Sequence, residues 1–237
     1  MKLAWATLLA LLACTANAET LSMNSGERRV TLLELYTSQG CSSCPPAERW
    51  LNDYIDDDDL WNKVVPVAFH VDYWDYIGWK DIYATPANGE RQRDYARAGK
   101  ARTVYTPGFF ANGREWRGWT FGMGPRADNR RAGNLEASLD GKQLTARYPD
   151  TGQALELNIV ILGFGIDTRV ERGENRNSTL RQEFVSLAHA AHPSGNGQWQ
   201  VSLPEYTRNG AKRLGIGVWI SEPGHPAPLQ ATGGWLE

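Results

Sequence analysis

The chain has 237 residues, with 25 lysines and arginines against 27 aspartates and glutamates, so its formal net charge at pH 7 is −2. This near balance gives no electrostatic case for a nucleic-acid-binding protein or for a protein held on an anionic membrane. The length fits one large domain or two small ones and allows a sizeable hydrophobic core.

Residues 1–18 have the pattern of a secretory signal peptide. A positive Met1-Lys2 precedes an apolar run over residues 3–13, and Ala16-Asn17-Ala18 provides a small-x-small cleavage site. The apolar run is shorter than the roughly 20 residues that a membrane-spanning helix requires, and no later segment approaches that length. We therefore expect cleavage after Ala18 and a periplasmic or secreted protein without a transmembrane segment.

A second interpretation of the N-terminus uses residues 11–14 as a lipoprotein processing site, which leaves a lipidated Cys14. The site after Ala18 is favoured, because the lipoprotein pattern is matched imperfectly. The chain has three cysteines, so loss of Cys14 with the signal peptide leaves Cys41 and Cys44 as the only thiols. These two can then pair only with each other, with a metal ion or with a partner.

Cys41 and Cys44 lie between a predicted strand and a predicted helix. The strand is the apolar, β-prone run over residues 31–36, and the helix begins at Pro45-Pro46, where missing amide donors cost nothing. Its apolar stripe is Ala47, Trp50, Leu51, Tyr54 and Ile55. A Cys-x-x-Cys pair at a helix start allows backbone donors and the helix dipole to stabilise a thiolate. A disulfide across so small a loop contributes little chain-entropy stabilisation, which favours exchange chemistry over a structural staple.

The rest of the first half alternates between predicted strands and helices. Residues 64–71 form an apolar β-run, although its Pro66 cannot donate a hydrogen bond inside a sheet. A Thr-Pro pair opens a predicted helix over residues 85–98. Residues 108–117 predict a β-hairpin, because their central Asn-Gly is a strong type I′ turn signal. Residues 128–139 predict a weaker helix.

Beyond residue 140 the pattern changes to short β-runs separated by turn residues. These runs are residues 144–146, 155–164, 168–170, 198–203 and 214–220. Residues 179–190 fit either a helix or a strand, and the two histidines at 189 and 192 make a weak metal site because no cysteine lies near them. We expect a first domain over residues 19–140 and a smaller, antiparallel β-sandwich-like domain over residues 141–237.

The segment from His70 to Asp81 concentrates an imidazole, carboxylates and aromatic rings at the predicted end of a strand. Such strand ends commonly line sites in α/β folds. In one interpretation His70 or Asp72 moves protons to and from the thiols, and Trp74 forms a wall for a substrate peptide. In the alternative interpretation the aromatic residues only bury this loop against the second half of the chain.

Four segments carry a resemblance to known proteins, namely residues 37–46, 69–79, 104–107 and 172–175. They resemble a thioredoxin-like family of bacterial secreted proteins, catalogued as a domain of unknown function, number twelve twenty-three. The strand, the Cys-x-x-Cys pair, the helix behind it and the Thr-Pro before a hairpin are also similar to the thioredoxin fold at large. The resemblance implies an α/β fold in which the thioredoxin-like domain has a central mixed sheet flanked by helices, and it implies no particular reaction.

The resemblance to thioredoxins also implies roles for individual residues. Cys41 would be the attacking thiolate and Cys44 the resolving thiol. Pro107 would be a cis-proline, with Thr106 offering backbone contacts to an extended substrate. Glu34 stands where thioredoxins place a buried carboxylate near the second cysteine; the alternative is a carboxylate that faces water at a strand edge.

Three hypotheses for function follow from the cysteine pair. In the first, the protein is a thiol-disulfide oxidoreductase that needs no cofactor and exchanges electrons with protein thiols or disulfides and with a redox partner protein. In the second, the protein is a periplasmic Cu(I)-binding or metal-delivery protein in which Cys41 and Cys44 hold the ion, with His70 as a third ligand. In the third, the chain is an interaction module without catalytic activity.

Overall fold

The computed structural model describes residues 20–149 and 151–236, and the predicted signal peptide and Cys14 lie outside this range. Within it are two α-helices, α1 (Pro45–Asn52) and α2 (Pro86–Arg97), and short 3-10 turns at Asp53–Asp56, Asp72–Ile77 and Gly118–Phe121. The strands are β1 (Leu21–Asn24), β2 (Thr31–Thr37), β3 (Val64–His70), β4 (Gly108–Ala111), β5 (Arg114–Trp116), β6 (Glu136–Asp140), β7 (Gln143–Arg147), β8 (Leu155–Phe164), β9 (Ile166–Arg169), β10 (Thr179–Gln182), β11 (Val185–Ser194), β12 (Gln198–Ser202), β13 (Arg213–Ser221) and β14 (Pro228–Trp235). The protein is therefore a mixed α/β structure, mostly sheet with few helices.

The described strands form a large sheet, a small sheet and a two-stranded ribbon. The large sheet has the order β14-β13-β8-β11-β3-β2-β4-β5, the small sheet the order β1-β6-β7-β12, and β9 and β10 form the ribbon. In the large sheet β3 runs parallel to both β2 and β11, whereas the other neighbours are antiparallel. The small sheet packs on β8 and β13 through an apolar cluster that includes Leu139, Leu144, Ile159 and Val218.

The centre of the large sheet is covered on both faces. All seven residues of β2 are buried, which explains its nearly continuous apolar sequence. Because side chains alternate along a strand, Tyr36 faces α2, where it meets the ring of Tyr95. Thr37 faces the opposite side, where its hydroxyl donates to Glu48 of α1. The two helices therefore lie on opposite faces of β2.

Two of the three helices predicted for the first half are confirmed, and both begin at proline. Cys44 is the N-cap of α1 and prolines occupy its first positions, while the helix buries Ala47, Glu48 and Leu51. At the start of α2 the Thr85 hydroxyl accepts a hydrogen bond from the Asn88 backbone N–H at 3.2 Å. None of the described helices is long and apolar enough to cross a membrane.

Pro66 is accommodated because β3 has a neighbour on only one side at that position. It lies beside Leu33 of β2, whereas β11 pairs with β3 only through Val185 and Ala68. The missing backbone donor therefore falls outside the stretch where β3 needs two partners.

The predicted hairpin is confirmed, and the predicted helix over residues 128–139 is wrong. β4 and β5 are joined by Asn112 and Gly113, whose φ angles of 50° and 77° have the sign that a type I′ turn requires. Residues 136–140 instead form β6, in which Ala137 and Leu139 are buried and their neighbours are more exposed. This period of two suits a strand that covers a core with one face.

Residues 179–190, which fitted either element, form β10 and the first part of β11. Phe184 separates the two strands with a φ of 60°, a conformation that no α-helix accommodates. The hairpin of β6 and β7 crosses the predicted domain boundary at residue 140, and the large sheet takes strands from both sides of that boundary. The C-terminal ends of β2 and β3 thus lie within one sheet that both halves of the chain build.

Candidate functional site

Cys41 and Cys44 form a disulfide at the start of α1, with their Cα atoms 5.4 Å apart. Both residues are completely buried. The Cys44 carbonyl oxygen accepts the first bonds of the helix, from the backbone N–H groups of Ala47 and Glu48 at 2.9 and 3.1 Å. The Ser43 hydroxyl oxygen lies 3.4 Å from Cys41 Sγ. The sulfur pair is therefore closed and inaccessible in this conformation.

A loop from the second half of the chain covers the cysteines, and we call residues 171–178, between β9 and β10, the covering loop. Asn175, itself buried, donates its side-chain amide to the backbone carbonyls of Gln39 and Cys41, each at 2.9 Å. The exposed Glu174 accepts the Ser42 backbone N–H at 3.0 Å. Hydrogen bonds from Ser42 lower the pKa of the Glu174 carboxyl. The covering loop is thus tied to the backbone on both sides of Cys41.

A buried carboxylate lies on the helix that carries the cysteines. Glu48, one turn after Cys44, accepts hydrogen bonds from the Thr37 hydroxyl at 2.6 Å and from the Gln182 side-chain amide at 3.2 Å. Burial raises the pKa of the Glu48 carboxyl, and the neighbouring His70 only partly opposes this shift. Glu48 is therefore a titratable group held out of water behind the disulfide.

His70 continues this buried polar group at the end of β3. Its Nδ1 lies 2.7 Å from Asp81 Oδ2, and its Nε2 lies 3.5 Å from the Gln182 amide nitrogen. Asp81 also accepts the Gln39 backbone N–H at 2.8 Å, so this carboxylate fixes the loop before Cys41. We call Thr37, Glu48, His70, Asp81 and Gln182 the buried polar cluster. All are at most 1 % exposed apart from Glu48, which is 5 % exposed.

The pKa shifts within the buried polar cluster favour a charged pair. Burial lowers the pKa of the His70 imidazole, but the Asp81 carboxylate outweighs this effect and the net direction is upward. Burial likewise raises the pKa of Asp81, but the imidazole and two backbone N–H donors bring it below the ordinary value. The two partners therefore stabilise each other as imidazolium and carboxylate.

Glu34 is completely buried, so it is not a carboxylate facing water. It lies on the α2 face of the sheet, where it forms a salt bridge of 2.5 Å with Arg91 and accepts a hydrogen bond from the Tyr95 hydroxyl. Because α1 lies on the opposite face, the buried carboxylate on the cysteine side is Glu48.

Trp74 joins the cysteine loop to the segment before β4. It packs against the backbone of Gly40, and its Nε1–H donates to the Thr106 hydroxyl at 2.7 Å. The Thr106–Pro107 peptide bond is cis. Asp72, at the start of the same 3-10 turn, is half-buried and lies beside Gly89 of α2. Of the sequence-predicted residues, Trp74 and Thr106 are thus brought together near Cys41, while Asp72 lies at α2.

The structure adds residues that the sequence did not single out as a site, namely Gln39, Glu48, Asn175 and Gln182, together with a defined role for Asp81. One signal was available for Glu48, because it lies four residues after Cys44 between the apolar positions of α1. Gln182 carried no such signal. Among the described residues, no group of three or more His, Cys, Asp or Glu side chains is arranged to hold a metal ion.

Fold and site define a mixed α/β protein with a buried disulfide at a helix start. The chain belongs to the family described as "Protein of unknown function (DUF1223)", whose model matches residues 32–221. No curated protein matches the chain.

Two solved structures are similar to the chain. One is the crystal structure of a structural-genomics target from Agrobacterium tumefaciens, with 24 % identity, a TM-score of 0.61, and coverage of 88 % of this chain and 95 % of that one. The other is HBP35 of Porphyromonas gingivalis, with 12 % identity, a TM-score of 0.53, and coverage of 89 % and 76 %. At these identities the similarity shows the fold alone.

Proposed function

We propose that the protein is an exported, thioredoxin-like thiol-disulfide oxidoreductase whose reacting groups are Cys41 and Cys44. The observation that carries the proposal is the disulfide between these residues at the N-terminus of α1, with a buried titratable carboxyl one helical turn behind it. A helix start favours the thiolate form of a cysteine in the reduced state, and thiolates are the species that exchange. The cis peptide bond at Pro107 matches the expectation from thioredoxins.

The proposed reaction transfers two electrons and two protons. In the reduced protein the Cys41 thiolate attacks one sulfur of a protein disulfide, forming a mixed disulfide and releasing one substrate thiolate. The Cys44 thiolate then attacks the Cys41 sulfur, which restores the Cys41–Cys44 disulfide and releases the second substrate thiolate. The protein is oxidised and the substrate is reduced to a dithiol; oxidation of a substrate dithiol follows the same steps in reverse.

The buried polar cluster suits the proton transfers of this reaction. Cys44 must lose its proton before it can resolve the mixed disulfide, and water has no access to the buried residue. The Glu48 side chain is buried on the core-facing side of α1. Because burial raises its pKa, it holds a proton more tightly than an exposed glutamate does. We assign to Glu48 the storage of that proton, and to Thr37 and Gln182 the fixing of its carboxyl group.

Access to the disulfide requires movement of the covering loop. The side-chain amide of Asn175 donates hydrogen bonds to the backbone carbonyls of Gln39 and Cys41. These carbonyls would otherwise be free to accept hydrogen bonds from an approaching extended peptide. Once the loop is displaced, Thr106 and the neighbouring Trp74 form the adjoining wall. We propose that a substrate peptide replaces the contacts of the covering loop.

The experiment that tests the function uses a variant in which the resolving thiol is absent. Cys44→Ser should accumulate a mixed disulfide at Cys41 when it is mixed with a peptide disulfide, detectable as a mass increase that dithiothreitol removes. The matched Cys41→Ser variant should trap far less. The proposal fails if the reduced wild-type protein exchanges no electrons with peptide disulfides and Cys44→Ser traps no adduct.

Export is tested separately. The mature protein isolated from an exporting host should have an N-terminus at Glu19, which intact-mass measurement reads directly. A lipid-modified Cys14 at the N-terminus would instead establish the lipoprotein interpretation.

A further inference from the structure

Two pairs of consecutive arginines, Arg28-Arg29 and Arg130-Arg131, lie on adjacent backbone segments away from the cysteines. The segments around Arg29 and Arg130 meet in an isolated antiparallel bridge, with the Arg29 backbone N–H donating to the Arg130 carbonyl at 3.0 Å. In the same pairing Arg28 lies directly opposite Arg131. Like charges in directly opposed positions destabilise a strand pair. The fold therefore concentrates positive charge at this place at a cost to its own stability.

Two of these arginines, Arg29 and Arg130, line a cavity of about 670 Å³, which we call the cationic cleft. Its lining includes the positive side chains of Arg29, Lys100, Arg114, Arg126 and Arg130. Among the described residues that line it, Asp128 is the one carboxylate, and it is already bound to Arg29 at 3.2 Å and to Arg130 at 2.6 Å. The cleft thus carries an excess of positive charge although the whole chain has a net charge of −2.

Several of these cations lack a compensating acid. Lys100, Arg114 and Arg126 are exposed, and no ion pair joins them to an acidic side chain within the described part of the chain. Arg29 is mostly buried, and its Nε–H has no hydrogen-bond partner there. Burial and the neighbouring Arg130 lower the pKa of Arg29, and the hydrogen bond and charge of Asp128 oppose this shift only in part.

We propose that the cationic cleft binds a small ligand that carries at least two anionic oxygen groups, such as phosphate, sulfate or carboxylate. Guanidinium groups present a planar fork of donors that matches such groups in a bidentate manner. A bound anion would offset the repulsion among the cationic side chains that line the cleft. The cavity volume lies within the range of small-molecule sites.

The cationic cleft is separate from the cysteine site. β4 begins directly after Pro107 and ends at Ala111, which lines the cleft. Four residues of extended strand span about 13 Å, so the two sites lie near opposite ends of β4. Anion binding can therefore be measured without involving the thiols.

Calorimetric titration of the oxidised protein with inorganic tripolyphosphate tests this inference. We expect saturable binding at one site, with an affinity that falls as the salt concentration rises. Citrate and orthophosphate serve as comparison ligands. Tighter binding of tripolyphosphate than of citrate assigns the ligand to phosphoryl compounds, and the reverse order assigns it to polycarboxylates. Orthophosphate should bind more weakly than both because it offers a single anionic group.

Exposed arginines provide the variants, since their replacement should leave folding intact. Arg114→Gln and Arg126→Gln should each weaken binding about fivefold or more. Arg181→Gln, which replaces an exposed arginine of β10 outside the cleft, should leave the affinity unchanged. Absence of saturable binding to the wild-type protein, or an equal loss in Arg181→Gln, would overturn the inference. The Cys41→Ser variant should bind like wild type, which separates this result from the proposed thiol chemistry.

Discussion

The side-chain amide of Asn175 donates to the backbone carbonyl of Cys41 at 2.9 Å, so a residue of the second half of the chain holds the backbone of the first cysteine. The same amide binds Gln39, and the covering loop closes over the disulfide through these contacts. Opening of the covering loop breaks these contacts, and we expect it to expose the sulfurs. Segments that must open for function are expected to depend on few such contacts.

Replacement of Asn175 should therefore speed reduction of the disulfide. Asn175→Ala removes two hydrogen bonds and leaves two carbonyls without that donor, which should lower the free energy of unfolding by about 1–3 kcal/mol. The rate of disulfide reduction by dithiothreitol should rise in the same variant, as followed by alkylation of the released thiols. Arg176→Ala, at an exposed neighbouring position, is the control and should change neither quantity appreciably. Equal reduction rates in all three proteins would show that the covering loop does not limit access.

Glu34 and Glu48 are two buried carboxylates on opposite faces of the large sheet, and they should respond differently to replacement by glutamine. Glu48→Gln should flatten the pH dependence of thiol exchange, because the side chain behind the cysteines can no longer titrate. Glu34→Gln should leave that pH profile unchanged and lower the free energy of unfolding by about 3–5 kcal/mol, since it leaves the buried Arg91 without its carboxylate partner. A pH profile altered by Glu34→Gln would contradict the assignment to Glu48.

Stability of the Glu48→Gln variant should also depend on pH in a defined direction. Burial raises the pKa of Glu48 in the folded state, so the folded protein retains its proton while the unfolded chain loses it. The free energy of unfolding of the wild-type protein is then reduced as pH rises from the unfolded to the folded pKa of this group. Glu48→Gln lacks that loss and should gain stability relative to wild type over the same range, measured by urea unfolding.

The His70–Asp81 pair predicts a stability maximum in mildly acidic solution. The pKa of His70 is raised from its ordinary 6.5, so its contribution is complete below that value and is lost as pH rises through the folded-state pKa. The pKa of Asp81 is lowered from its ordinary 3.8, so its contribution is present above that value and is lost as pH falls through the folded-state pKa. Urea unfolding across pH should show both decreases in the free energy of unfolding, an alkaline limb from His70 and an acid limb from Asp81.

Variants of this pair separate the two limbs. Asp81→Asn should cost about 3–5 kcal/mol at pH 6, because a buried imidazole loses its charged partner. The stability of Asp81→Asn should no longer fall at acid pH because of protonation at position 81. His70→Gln should remove the alkaline limb. A wild-type profile that is flat from pH 6 to 9 would argue against a charged His70 in the folded protein.

Local sequence signals were sufficient to predict the framework of the site. Pro45-Pro46 fixed the start of α1, and the Asn112-Gly113 turn fixed the hairpin after Pro107, because both depend on backbone preferences of adjacent residues. The helix expected over residues 128–139 was wrong because two leucines at helical spacing are also compatible with other structures. In the folded chain Leu139 is buried by pairing of β6 with β1 and β7.

The polar interior of the site could not be predicted because its partners are far apart in sequence. Gln182 is 134 residues from Glu48, and Asn175 is 134 residues from Cys41. No periodicity or spacing indicates which distant amide will meet a given carboxylate or carbonyl. His70 and Asp81 were both in the segment that the sequence emphasised, yet their pairing depends on how the intervening turn reverses direction.

Trp74 and Thr106 provide a test of the wall beside the cysteines. Trp74→Phe and Thr106→Val each remove one partner of the 2.7 Å hydrogen bond, and each should lower the free energy of unfolding by about 1 kcal/mol. The double variant should lose about 1 kcal/mol less than the sum of the two, because the shared bond is counted once.

If this wall positions substrate, both single variants should raise the KM for a peptide disulfide with little change in kcat. Trp199→Phe removes a comparable indole bond to the His192 carbonyl in another part of the molecule, so it should reduce stability while leaving KM unchanged. A KM that responds equally to all three variants would assign the Trp74–Thr106 bond to folding alone.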